Sequence, residues 1–120
     1  MKVYISGPMS GIPESNFPAF HAAAASLRSL GIDVVNPAEI NPGQPPADGA
    51  GKEAFDAFYN ACLRADIREL MECDAIALMP GWTQSKGANL ELHIAHRVGM
   101  RIYALHELIQ QFEPTIGCAA

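Results

Sequence analysis

The sequence predicts a single α/β domain, built on a parallel sheet of four to five strands with helices on both faces. The chain has 120 residues, which is the size of one domain, and no linker divides it. Short β-rich segments alternate with segments of helical periodicity, and this order favours parallel β-α-β units. Residues 75–79 are apolar throughout, as expected for a strand buried on both faces of a sheet.

The first half of the chain is expected to contribute two strands, one helix and a long loop. Residues 3–6 form a β-rich run that ends at Gly7, and residues 32–35 form a second one. Apolar residues between 17 and 30 follow helical spacing, with Asn16 as a potential N-cap and Gly31 as the C-terminal glycine. Residues 38–52 are rich in proline and glycine and predict a surface loop.

The second half continues the alternation. Residues 53–73 predict the longest helix, residues 75–79 a strand, and Pro80-Gly81-Trp82 a break. A further helix is predicted over 87–98, a fourth strand over 101–105, a short helix over 106–112 and a frayed tail from 113. In such sheets ligands bind beyond the carboxyl ends of the strands, where the strand order reverses. With a strand order 2-1-3-4, that point lies between loops 7–11 and 80–87.

Composition excludes several classes of function. The formal net charge is −5 and only eight residues are Lys or Arg, so we expect no binding of long nucleic acid. No apolar run reaches the ~20 residues of a membrane span, and residues 1–8 lack the pattern of a signal peptide. We therefore expect a cytoplasmic protein. Three cysteines without CxxC spacing predict no disulfide framework. Glu91, His93 and His96 do not share one helix face, so we expect no metal site.

Polar residues near the predicted site allow both structural and functional interpretations. Gly7 and Gly11 either form ordinary turns or let the backbone approach a ligand. Glu91 either complements the dipole of its helix or enters the site. Asp66 interrupts the apolar part of the long helix. It either forms an ion pair with Arg64, Arg68 or another Arg, or it faces the site. Two carboxylates beside Tyr4 would suit chemistry on a glycosidic bond.

Three sequence blocks carry a resemblance to a known superfamily. They are Tyr4-x-x-Gly7 after the first strand, Asp66 eight residues before Asp74, and Gly87-x-x-x-Glu91 at the start of a helix. Over residues 2 to about 105 the chain resembles the nucleoside 2-deoxyribosyltransferase superfamily, in particular its small, often phage-encoded members. The resemblance implies a flavodoxin-like fold and a homodimer or higher homo-oligomer, with no metal or organic cofactor.

The resemblance also implies roles for individual residues. Glu91 matches the nucleophile that attacks C1′ of the sugar, Asp66 a carboxylate that helps to protonate the leaving base, and Tyr4 a hydroxyl that orients the nucleophile. Substrate contacts are expected from loop residues: Ser6, Gly7, Met9, Gly11, Gly81, Trp82, Ser85, Gly87 and Asn89. The 2′-deoxynucleoside 5′-phosphate N-hydrolases carry a Ser at the position of Ser85, where transferases carry an Asp that would repel a phosphate. Pro8 and Met9 depart from the hydroxyl and Arg that this hydrolase branch has after Gly7.

These observations predict cleavage or transfer of the N-glycosidic bond of a (deoxy)nucleoside 5′-monophosphate, a small-molecule partner. Two alternatives remain: a catalytically weak module that senses or sequesters a small nucleotide, and a structural oligomer with a vestigial pocket. Phe55, Tyr59 and Leu63 recur at four-residue spacing on the long helix and predict a contact surface between copies. The other interpretation of this stripe is a helix packed on both sides within one chain.

Overall fold

The computed structural model describes residues 1–40 and 43–112, and its centre is a four-stranded, all-parallel sheet with the strand order β2-β1-β3-β4. The strands are β1 (Lys2–Ser6), β2 (Asp33–Val35), β3 (Ala75–Leu78) and β4 (Arg101–Ala104). The helices are α1 (Phe17–Ser29), α2 (Lys52–Met71), α3 (Lys86–Arg97) and α4 (Leu105–Phe112). Short 3₁₀ turns lie at Pro13–Asn16, Pro37–Glu39 and Trp82–Gln84. The expected flavodoxin-like α/β fold is confirmed, with four strands in the part that the structure describes.

Residue alternation along the strands divides the core into two layers. Val3 and Ile5 of β1 face α1 and α4, where they pack with Phe20, Leu27 and Leu108. Tyr4 of β1 faces the opposite layer with Ile76, Leu78, Leu70 and Ala95, which come from β3, α2 and α3. Because successive side chains of a strand point to opposite faces, Ser6 lies on the same side as Tyr4. The two hydroxyl-bearing residues of β1 therefore both face the layer that contains α2 and α3.

The ends of α1 confirm one prediction and correct another. Gly31 has a φ of 82° and follows the helix, with its N–H donating to the Arg28 carbonyl at 3.0 Å. Asn16 does not cap the helix, because it has a φ of 60°, in the left-handed region, and its side chain makes no cap bond. Its Nδ2 instead donates to the Pro8 carbonyl at 2.9 Å, and this bond connects the 3₁₀ turn Pro13–Asn16 to the loop after β1.

The long loop after β2 contains one short ordered turn. Asn36 caps the turn Pro37–Glu39, with its Oδ1 accepting from the Ala38 N–H at 3.0 Å. Residues 43–51 contain no helix or strand, as the sequence predicts, and residues 41, 42 and the predicted frayed tail 113–120 lie outside the described residues. No helix in the described ranges is both long and apolar enough to cross a bilayer.

Helix α2 is more exposed along its N-terminal half than along its C-terminal half. Leu70 is the one fully buried residue of the helix, and residues 52–57 are all exposed. Phe55 and Tyr59 are 47% and 48% exposed, while Leu63 is half-buried. The structure therefore does not agree with the interpretation that both sides of α2 are packed within one chain.

Candidate functional site

A cleft of about 800 Å³ lies at the carboxyl edge of the sheet. Its floor comes from the loop after β1 and from the start of α3, and its outer wall comes from α2. These elements meet at the point where the strand order reverses, because β1 and β3 are adjacent and their chains continue to opposite sides. The position expected from the strand order is therefore the position of the cleft.

Glu91 is the most constrained polar group of the cleft. It lies in the middle of α3, is 6% exposed, and its two carboxylate oxygens each accept a hydrogen bond from β1. The Tyr4 hydroxyl donates to Oε2 at 2.5 Å, and the Ser6 hydroxyl donates to Oε1 at 2.7 Å. A residue that served only the helix dipole would need neither burial nor two donors. The arrangement is that of a carboxylate fixed in one orientation.

Opposing effects set the charge of this carboxylate. Burial raises the pKa of Glu91 above its usual value, and the hydrogen bonds from Tyr4 and Ser6, which favour the charged form, offset only part of this rise. Burial also strongly raises the pKa of Tyr4, and the negative charges of Glu91 and Asp66 add to this effect. Tyr4 therefore remains a neutral phenol that donates its hydrogen to Glu91.

Asp66 lies half-buried on α2 and lines the same cleft as Glu91. Burial, and secondly the charge of Glu91, raise the pKa of Asp66 from 3.8 to about 7. Within residues 1–40 and 43–112, Asp66 forms no ion pair, so pairing with Arg64 or Arg68 is not observed. Near neutral pH a large share of the molecules therefore keeps the proton on Asp66, which is the form that a general acid requires.

The loop between β3 and α3 is held together by two side chains. Ser85 Oγ accepts a hydrogen bond from the Ala88 N–H at 3.1 Å and so caps α3. Asn89 Nδ2 donates to the carbonyls of Trp82, Thr83 and Ser85 at 3.3, 3.1 and 2.8 Å. The amide group of Asn89 therefore stabilises the conformation of this loop, because its N–H groups donate to the loop carbonyls.

Close backbone contact joins the loops after β1 and β3. The Met79 N–H donates to the Ser6 carbonyl at 2.8 Å. A Cβ placed on Gly7 would lie 2.8 Å from the Met79 Cβ, closer than such atoms approach in proteins. Gly81 has a φ of 84°, and a Cβ there would lie 3.3 Å from Pro8 Cγ. Glycine at position 7 is therefore needed for the approach of the two loops, and glycine at 81 for its backbone conformation.

The structure brings part of the predicted set to the cleft wall. The predicted residues that line it are Tyr4, Gly7, Met9, Asp66, Ser85, Gly87 and Glu91. Those that do not are Ser6, Gly11, Gly81, Trp82 and Asn89, whose places are behind Glu91 or in the supporting loops. Lys86, which together with Ser85 and the helix start was expected to attract a phosphate, also lines the cleft. The sequence analysis did not assign Phe17 to the site, although it lines the cleft too, and its position at the start of α1 is the signal that could have identified it.

No ion-binding cluster accompanies these residues. In the described ranges, no group of three or more His, Cys, Asp or Glu side chains is arranged to hold a metal ion. His93 and His96 lie on α3 beyond Glu91, and neither lines the cleft. The residues that line the cleft thus carry carboxyl, hydroxyl, amine, amide, thiol and apolar side chains.

Comparison with known proteins gives a family and a fold. A family model described as "Domain of unknown function (DUF4406)" matches residues 1–104. The fold is similar to that of a solved 2-deoxyribosyltransferase from the psychrotolerant bacterium Bacillus psychrosaccharolyticus, with a TM-score of 0.60 and 19% sequence identity. That match covers 85% of this chain and 69% of the other. No curated protein sequence matches the chain significantly.

Proposed function

Because the chain belongs to the DUF4406 family, described only as a domain of unknown function, we propose a function from the cleft itself: cleavage or transfer of the N-glycosidic bond of a (deoxy)nucleoside 5′-monophosphate. The observation that carries the proposal is Glu91, a buried carboxylate held by two hydroxyls and facing the same cleft as Asp66. The fold similarity to a 2-deoxyribosyltransferase supports it at the level of architecture.

The proposed reaction has two steps. In the first, a carboxylate oxygen of Glu91 forms a bond to C1′ while the bond from C1′ to the base nitrogen breaks, and the base leaves with that electron pair. Asp66 donates its proton to the departing base, which its pKa of about 7 permits at neutral pH. In the second, water or another base attacks C1′, and the bond to Glu91 breaks to restore the carboxylate. The Asp66 carboxylate takes the proton that the water or the incoming base loses, and so returns to its acid form.

The loop before α3 supports a 5′-phosphate on the substrate. Ser85 Oγ accepts from the Ala88 N–H, which leaves its own hydrogen free to donate to a phosphate oxygen. Lys86 is the first residue of α3 and lines the cleft beside Ser85, so it places a positive charge at the helix start. The cleft volume of about 800 Å³ is within the usual range for sites that hold a small ligand.

A second copy of the chain is part of the proposal. Phe58 and Tyr59 line the cleft, and the half of α2 that carries them is largely exposed. A transition state with cation character requires a preorganised site from which water is excluded. We therefore expect a homodimer or higher homo-oligomer in which a neighbouring chain covers the exposed half of α2.

The test is release of free base from a panel of nucleoside and deoxynucleoside 5′-monophosphates, followed by chromatography. Glu91→Gln keeps the size of the side chain and one hydrogen-bond acceptor but removes the nucleophile, so base release should fall by at least about a thousandfold with nucleotide binding retained. Glu72→Gln, on the exposed residue that follows α2, is the matched control.

Wild-type protein that binds a monophosphate but releases no base from any member of the panel would instead support a nucleotide-binding module. Base release by Glu91→Gln at the wild-type rate would refute the role of Glu91. Binding of nucleosides as tight as binding of their monophosphates would refute the proposed phosphate subsite.

A further inference from the structure

Ser6 is buried directly behind the carboxylate of Glu91. It is the last residue of β1, is 1% exposed, and does not line the cleft, so a ligand in the cleft has no access to its hydroxyl. Its Oγ lies 2.7 Å from Glu91 Oε1, and no described buried polar side-chain atom in the domain lacks a partner. The sequence-based expectation of a substrate contact does not explain such a position.

We propose that Ser6 is a positioning residue, which fixes the orientation of the Glu91 carboxylate and favours its ionised form, through a hydrogen bond to the oxygen that Tyr4 does not hold. The inference rests on the proposed function only in calling that carboxylate a nucleophile. Tyr4 alone could hold one oxygen and would leave the carboxylate free to rotate about that contact. With Ser6 bound to the other oxygen, both carboxylate oxygens are held by residues of β1 that are two positions apart and point to the same face of the sheet.

The hydrogen bond from the Ser6 hydroxyl partly offsets the free-energy cost of burying the charged form of Glu91. Burial disfavours the charged form of Glu91, and donors to its oxygens favour it. Removal of the Ser6 donor therefore raises the pKa of Glu91, and a reaction that needs the ionised form loses activity from the acid side. The other titratable groups that line the cleft around Glu91 are Tyr4, Tyr59, Cys62, Asp66 and Lys86. The replacement of Ser6 alters none of these groups chemically.

The test compares Ser6→Ala, Ser6→Cys and Ser29→Ala. Ser6→Ala removes the donor, and Ser6→Cys nearly keeps the volume but offers only a weak S–H donor. Ser29 ends α1, and its hydroxyl is exposed and bonds only the carbonyl of Ser26, so Ser29→Ala is the matched control. The first readout is the pH profile of kcat/KM for base release. The second is the titration of the Glu91 side-chain carbon by NMR of ¹³C-labelled protein, with Glu91→Gln used to assign the signal.

We expect both Ser6 variants to raise the pKa of Glu91 by about one unit, because a hydrogen bond to a charged group has about that effect. The acid limb of the profile then moves up by the same amount, and kcat/KM falls about tenfold on that limb. The dissociation constant for a monophosphate stays unchanged, because Ser6 does not line the cleft. Ser29→Ala should behave as wild type.

Two different failures are separable in this design. If wild type releases no base, the proposed function fails, and the NMR titration still decides whether Ser6 sets the pKa of Glu91. If wild type releases base but Ser6→Ala titrates as wild type in both readouts, the positioning role is refuted. Full recovery by Ser6→Cys would also refute it, since that result would assign the effect to filled volume rather than to the hydrogen bond.

Discussion

Replacement of Asp66 by Asn should stabilise the fold while it removes the proposed acid. Burial and the charge of Glu91 raise the pKa of Asp66 from 3.8 to about 7. An acid whose pKa is raised in the folded state contributes stability below its unfolded pKa, and that stability is lost as pH rises through the folded pKa. Wild-type protein should therefore lose stability between about pH 4 and pH 7 by this route. The neutral amide that replaces the carboxyl group does not titrate, so the variant escapes this loss.

The magnitude follows from the two pKa values. A carboxyl group whose pKa is raised this far destabilises the fold by roughly 4 kcal/mol when it ionises. Solvent around the half-buried Asp66 side chain reduces the expected destabilisation to about 2 kcal/mol. Urea unfolding followed by circular dichroism, at about pH 5 and about pH 8, measures the change in unfolding free energy. The gain of Asp66→Asn over wild type should grow from the lower to the higher pH.

A control from the same helix makes this test specific. Asp56 is exposed on α2 and pairs with Lys52 at 2.7 Å, so Asp56→Asn should change stability by less than about 0.5 kcal/mol at either pH. Base release by Asp66→Asn should fall at neutral pH, and the alkaline limb near pH 7 should disappear from its profile. An Asp66→Asn protein that is no more stable than wild type at about pH 8 would refute the reasoning.

Three further changes test other parts of the site. Gly7→Ala should destabilise the fold by about 1–3 kcal/mol in urea unfolding, because its Cβ would meet the Met79 Cβ at 2.8 Å; Gly51→Ala, with no atom within 4 Å of its Cβ, is the control. Ser85→Asp should weaken binding of a monophosphate by about tenfold or more in calorimetry and spare the nucleoside; equal losses for both ligands would contradict a phosphate subsite. In light scattering, wild type should exceed its 12.9 kDa chain mass and Tyr59→Lys should shift towards that mass; a wild-type monomer that still releases base would exclude a neighbour's contribution.

The sequence predicts the fold and the general position of the site because both depend on periodicity and on the order of elements. The apolar run at β3 and the alternation of elements are enough to place the cleft between the loops after β1 and β3. The N-cap at Asn16 was wrong, because three consecutive residues, Glu14, Ser15 and Asn16, adopt left-handed conformations that no propensity favours. Local conformation of this kind depends on the surrounding loops rather than on the residue itself.

Side-chain roles within the site were predictable only in part. Strand alternation places Tyr4 and Ser6 on one face, but the contact of both with Glu91 depends on how closely α3 packs on β1. Asn89 could have been predicted to support the loop rather than to contact a ligand, since it lies in the first turn of α3, four residues after the cap Ser85, and its amide reaches the loop carbonyls before it. The distances from the amide nitrogen to the carbonyl oxygens decide whether the side chain binds the backbone or a ligand, and the spacing of residues in the sequence does not give these distances.

The uneven packing of α2 gives the cleft a wall whose rigidity changes along its length. The half that carries Asp66 is anchored through Leu70, whereas the half that carries Phe55 and Tyr59 has few buried contacts. Isolated helices shorter than ~12–15 residues are marginal in water, so amide hydrogens from Lys52 to about Tyr59 should exchange with solvent much faster than those near Leu70. Asp66 thus lies on the anchored half of α2, whereas Phe58 and Tyr59 line the cleft from the exposed half. Ligand affinity should accordingly rise with protein concentration wherever association orders that exposed half.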